Sequence, residues 1–190
     1  MVAAPSTAGA GHGLMSAFGD VERLPNPGRT PDQIAYVFDR WEEHARLALA
    51  STATARYILS LQFAREKLAE IESLVRRNII VSTHVAIAAY TEYIGIAARE
   101  IATLDKQTQR NFDQQYAIAL LEHQYVMSVN YLDLPRDSRR LISEVIDAAS
   151  AQYELISPRL DDAFKATLFF KLDEVRWSWE VAQQADKQGL

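Results

Sequence analysis

The chain has no cysteine, which removes disulfides, thiolate metal sites and cysteine nucleophiles in one step. Histidine is scarce as well. None of the four sits in Glu-x-x-His or His-Glu-x-x-His, the spacings that place ligands on one helix face in di-iron bundles and zinc proteases. Positive charge is in deficit, with 20 Lys and Arg against 25 Asp and Glu, a net charge of -5. The tightest basic groups, Arg76-Arg77 and Arg136 with Arg139 and Arg140, read as helix-end charges, so no nucleic-acid partner is expected.

Long hydrophobic runs are nearly absent. The one window of membrane-span length, Ile79 to Ala98, carries His84 and Glu92, which makes insertion costly and a packed core helix the expected reading. The opening "MVAAPSTAGAGHGLM" lacks a basic segment followed by an apolar core, and Val2 stands where N-myristoylation needs glycine. A cytoplasmic location, or incorporation into an assembled particle, is expected in place of secretion.

Glycine and proline almost vanish after the first 31 residues. Five of the seven glycines lie at positions 9, 11, 13, 19 and 28, beside prolines at 5, 25 and 27. Residues 1–30 are therefore expected to form a flexible arm, and residues 31–190 a helical bundle domain. Within the arm, Leu14, Phe18 and Val21 fall at i, i+4, i+7 with Met15 nearby, a short amphipathic segment that either orders only when docked on another surface or is a tail lying on its own domain. The string "GAGHG" at 9–13 has neither a preceding strand nor a following Lys-Ser/Thr, so it is tail and not a phosphate cradle.

What remains is helix signal. Thr30, Pro31 and Gln33 form a capping box, and no glycine or proline follows until after Arg77. Ile34, Val37, Phe38, Trp41, Ala45 and Ala48 make the stripe expected to face the core. Asn78 offers a stop, Pro135 ends a second run, and Ser157-Pro158 interrupts a third. The segments 31–77, 82–131 and 138–187 are nearly equal. They predict an all-α, elongated antiparallel bundle of three long segments, the third interrupted at Pro158. The alternative, breaks within "STATA" at 51–55 and within 104–115, gives six shorter helices in a more globular bundle.

Two adjacent Glu-His pairs, Glu43-His44 and Glu122-His123, invite a metal reading. Adjacent helical residues point about 100° apart, so neither pair can share one ion. A looser set of His44, Glu92 and His123 would make a metal-dependent helical-bundle oxidase, with His84 and Glu92 the ionisable pair inside the apolar run. The ordinary explanation is a salt-bridged helix face. Tyr90 and Tyr93 share a face and suit a ligand-binding or sensory bundle, or a core edge. No strand-turn-helix nucleophile elbow is present, so the sequence points away from an enzyme, and no cofactor, metal or catalytic residue is expected.

The last helix is two-sided. Leu160, Phe164, Leu168, Leu172, Val175, Trp179 and Ala182 form one stripe; Ala163, Ala166, Phe170, Trp177 and Val181 form another nearly opposite. The second stripe must be covered from outside a three-rod packing. The expectation is a non-enzymatic structural or assembly protein that self-associates or packs into a larger particle, such as a virion, as a homo-oligomer. Its contacts would be Leu14, Met15 and Phe18 on the arm and Phe170, Trp177 and Val181 on the last helix. A membrane partner is not expected.

Overall fold

The structure, a computed structural model, describes residues 17–18 and 24–188. Among these it is an all-α bundle without strands. Its helices are α1 (Tyr36–Leu49), α2 (Ala53–Arg76), α3 (Ile80–Ala102), α4 (Lys106–Val129), α5 (Arg139–Ile156), the short α6 (Asp162–Thr167) and α7 (Phe169–Lys187). The expected class stands. The division follows the shorter-helix alternative and not three continuous segments, and each break has a local cause.

Between α1 and α2, Ala50 and Thr52 turn extended, and the Thr52 hydroxyl accepts the Ala55 amide at 3.1 Å. The threonine that looked like weak mid-helix propensity is an N-cap. Thr52→Ala is expected to lower stability by about 1 kcal/mol, read as a shift in the urea midpoint. Between α3 and α4, Asp105 does the same work, its carboxylate accepting the amides of Gln107 and Thr108, both at 3.1 Å. Asn111 and Gln114, whose three-residue spacing imitates a capping box, lie inside α4.

α2 stops where expected. Asn78 adopts φ 56°, and the Ile79 amide reaches back to the Leu74 carbonyl at 3.0 Å, a left-handed helix closure that asparagine tolerates. α1 starts five residues later than the capping box predicted, because Thr30 is engaged elsewhere. Its hydroxyl bonds Asp32 at 2.5 Å and receives Arg77 Nη2 at 3.0 Å, while Arg77 Nη1 pairs with Asp32 at 2.8 Å. The first turn is thereby tied to the far end of α2. At Pro158 the chain forms a 3-10 turn, and Asp161 then caps α6 through the Phe164 amide at 2.8 Å.

α2 and α3 make the most extensive helix pair, and α4 packs with α5 and α7 on the other side. The interior is rich in tyrosine: Tyr57, Tyr90, Tyr93 and Tyr116 are all fully or almost fully buried with Phe63, Leu68, Ile71 and Ile94. Each of three hydroxyls finds a partner, Tyr116 donating to the Ile94 carbonyl at 2.7 Å, Tyr93 to Glu43 at 2.5 Å, and Tyr90 pairing with His123 Nδ1 at 3.1 Å. The rings fill the core as large apolar bodies and their tips satisfy other buried groups. α3 is long and apolar enough to cross a membrane by length and composition, yet its Tyr90, Tyr93, Ile94 and Ala97 are sealed in this core.

Candidate interaction surfaces

α1 is mounted with its apolar side outward. The residues it turns to the bundle are Tyr36, Arg40, Glu43 and Leu47, spaced as one helical stripe. The stripe expected in the core faces out: Ile34, just before α1, is 94% exposed, Val37 71%, Phe38 70% and Trp41 73%. This corrects the sequence expectation, and the cause is a buried ionic seat prepared on α2 and α3.

Lys67 of α2 forms the centre of that seat. Its side chain has no exposure, and its ammonium lies 2.7 Å from Glu43 Oε1 and 2.6 Å from Glu70 Oε1, with the Tyr36 ring 4.9 Å away. The other Glu43 oxygen accepts the Tyr93 hydroxyl at 2.5 Å and Arg40 Nη1 at 3.1 Å. Arg40 also bonds the Tyr93 hydroxyl, and its Nη2 reaches Glu92 at 2.7 Å. A buried charge is tolerable only when paired and hydrogen-bonded. α1 brings Glu43 to meet Lys67, and this requirement fixes its rotation more firmly than the apolar residues do.

The two carboxylates of the seat are not equivalent. Glu43 has three donors, whereas Glu70 Oε2 is buried with no hydrogen-bond partner among the described residues. Burial pushes the Glu70 carboxyl up to about 7 against the pull of Lys67, with the Glu43 and Glu66 charges adding to the rise. Burial also works to lower the Lys67 ammonium, but the carboxylates on either side outweigh it and raise it overall. Tyr36 is pushed up to about 12, chiefly by burial.

α7 shows the two stripes read from the sequence. Leu168, Val175 and Ala182 are buried, while Phe170 at 73%, Trp177 at 63% and Val181 at 40% are exposed. Phe18 differs from expectation. It is buried on its own chain, stacked on Tyr125 at 4.4 Å between ring centroids with the Lys171 ammonium 4.1 Å from its ring. Its ring is covered by its own chain, as for a tail lying on its own domain, and is not part of the exposed apolar surface. Leu14 and Met15, like the 9–13 glycine string, lie outside the described residues.

The Glu-His pairs separate. His44 is half exposed and 3.6 Å from Glu92, His84 is 3.5 Å from Glu144, and His123 is buried against Tyr90. His44, Glu92 and His123 do not converge, and among the described residues no three His, Asp or Glu side chains are placed to hold a metal. Burial drives the His123 imidazole down to about 3, with the Arg65 charge adding to the effect. It is therefore a neutral partner for the Tyr90 hydroxyl.

Among the described residues, two of the surface clefts lie between helices. One, of about 460 Å³, lies between α2 and α4 and is lined by Leu61, Arg65, Glu66, Glu122 and His123, with Pro25 at its edge. The other, of about 350 Å³, is a groove between α5 and α7, floored by Leu121 and Gln124 of α4 and walled by Ile146, Tyr153, Leu172 and Trp179. α5 and α7 both pack on α4 and converge where Arg139 meets Asp186 at 2.7 Å. Neither cleft is lined by Tyr90, Tyr93 or Tyr116.

The residues missed in the sequence are Lys67 and Glu70. A sign of them is present: Ser60, Phe63, Ala64, Lys67, Leu68, Ile71 and Leu74 form one inward stripe on α2, and a lysine on such a stripe requires a buried counter-charge.

Fold and surfaces together define an all-α bundle that holds one amphipathic helix by its polar side and leaves apolar helix faces uncovered. Within that class, the chain belongs to the family described as Domain of unknown function (DUF5667), whose profile matches residues 28–127, just over half of the chain. The matched span contains α1, its ionic seat and all of α4 except Ser128 and Val129, while α5 to α7 lie beyond it. No curated protein and no solved structure matches the chain.

Proposed function

We propose that this protein is a non-enzymatic assembly protein that associates with copies of itself through outward apolar helix faces, α1 first and the outer stripe of α7 second. The observation that carries the reading is the inverted mounting of α1. A helix gains most of its stability in a protein by burying its apolar face. Here that face is turned out, and four large residues, Ile34, Val37, Phe38 and Trp41, stand exposed within two turns. Covering each would contribute about 1.5–3 kcal/mol, and exposed aromatic clusters of this kind dominate interface energetics. Phe170 and Trp177 add a second such face on α7.

The test is mass in solution. The full chain is expected to be a dimer or larger at micromolar concentration by light scattering after size exclusion. Phe38→Ser combined with Trp41→Ser should give a monomer with unchanged helicity, since both side chains lie outside the core. A wild-type chain that stays monomeric up to roughly 100 μM, a dissociation constant already weak by the standards of specific association, would overturn the reading.

A further inference from the structure

α1 is held to the bundle less by packing than by charge. Of its residues only Tyr36, Glu43 and Leu47 are buried, its apolar face points outward, and residues 50–52, extended at Ala50 and Thr52, join it to α2. Its leading end is fastened by the Asp32–Arg77 pair, which lies at the surface and contributes little. Attachment therefore rests on the ionic seat. A segment with so few buried apolar contacts is the kind that opens locally while the rest of a fold persists.

The seat holds one carboxyl more than its cations balance. Facing Glu70 are Tyr36, Arg40 and Glu43 from α1, Lys67 and Glu66 from α2, and Tyr93 with Glu92 at the exposed edge from α3. Arg40 and Lys67 are matched in charge by Glu43 and Glu92. Glu70 is the surplus acid. It shares Lys67 with Glu43, and its Oε2 is buried with no hydrogen-bond partner among the described residues. Ionised, it leaves that oxygen without a donor and sets a second negative charge on one ammonium. A proton on Glu70 removes the excess charge.

We propose that the seat is a proton-sensitive latch: α1 stays docked while Glu70 is protonated, and its docking weakens when Glu70 ionises. The consequence for assembly rests on the self-association reading above, because a helix of 14 residues is marginal alone and presents its apolar face in order only while docked. The sign follows from the two states of α1. Docked, it keeps Glu70 from water, and burial lifts that carboxyl from 4.5 to about 7. With α1 lifted, Lys67 and Glu70 meet solvent and the carboxyl returns toward its ordinary value. The lifted form thus binds the proton less tightly. Docking is favoured in full below pH 4.5, loses ground as pH rises, and levels off above 7. Between pH 6 and pH 8 the opening equilibrium should rise about tenfold.

Amide hydrogen exchange on the full-length F38S/W41S chain tests this, since that variant lacks the outward anchors and separates the latch from assembly. The α1 amides are expected to be less protected than those of α2 and α4, and to lose about tenfold in protection factor between pH 6 and pH 8. Adding E70Q should abolish that loss. A change within about twofold, or the same loss with E70Q present, would overturn the latch. So would α1 protection equal to that of α2 and α4, since α1 would then leave only when the whole bundle unfolds. If circular dichroism shows that E70Q has lost its fold, E70M, which also cannot ionise, takes its place. A wild-type chain that stays monomeric overturns the assembly reading and leaves the exchange result as it stands.

Discussion

Lys67→Met is expected to lower the unfolding free energy by about 3–5 kcal/mol at pH 8, the cost typical of removing one member of a buried ion pair. Methionine keeps most of the lysine stem, so the loss is of charge and not of volume. What remains is Glu43 and Glu70, both nearly inaccessible, facing each other across an apolar gap. Glu43 retains Arg40 and Tyr93, but Glu70 loses the one hydrogen-bonded partner it has among the described residues. At pH 5 the same variant should be milder, because Glu70 can take up a proton and cease to be a buried charge. Replacing the whole triad, Glu43→Leu with Lys67→Met and Glu70→Leu, should return stability to within about 1 kcal/mol of wild type or above it, since apolar residues pay no desolvation. Urea denaturation of the single and triple variants at both pH values measures this. A single variant within 1 kcal/mol of wild type at pH 8 would mean that the seat is not held by charge.

The helix content and most helix faces were legible because periodicity carries them directly. The α5 stripe of Leu141, Ile142, Val145, Ile146 and Ala149 is buried as its spacing requires, and the two stripes of α7 follow from rotation at about 100° per residue. Asn78 and Pro135 punctuate as their backbone chemistry dictates. Thr52 and Asp105 were harder. Their side chains cap equally well in a break and sit unremarkably in a helix, and only the packing of α1 against α2, and of α4 against its neighbours, decides which occurs.

The orientation of α1 was not legible for a related reason. Periodicity reveals that a helix has an apolar face but not which body covers it. Composition assigned that face to the protein's own core, but the seat around Lys67 claimed the opposite one. The outward placement of Phe170 and Trp177 could be read locally. The burial of Phe18 could not, because it depends on Tyr125 and Lys171, more than a hundred residues away in sequence and brought together only by the fold.

Glu70→Gln should change the pH dependence of stability in a defined direction. In the unfolded chain this carboxyl titrates near 4.5, and in the folded protein burial lifts it to about 7. Between those values the folded state keeps a proton that the unfolded state has released, so this group's stabilising contribution is full below 4.5 and is lost as pH rises through 7. The span corresponds to about 3 kcal/mol at roughly 1.4 kcal/mol per pH unit.

Glutamine cannot ionise, so the variant escapes this loss: relative to wild type it should gain about 3 kcal/mol between pH 4.5 and pH 8. The wild-type curve alone would hide the effect. His123, held neutral by burial with its titration driven from 6.5 down to about 3, contributes stability that is present above 6.5 and lost as pH falls, the opposite slope over an overlapping range. That contribution is common to both proteins and cancels in their difference. A wild-type-minus-variant difference that stays flat from pH 4.5 to 8 would show that Glu70 is ionised in the folded seat throughout.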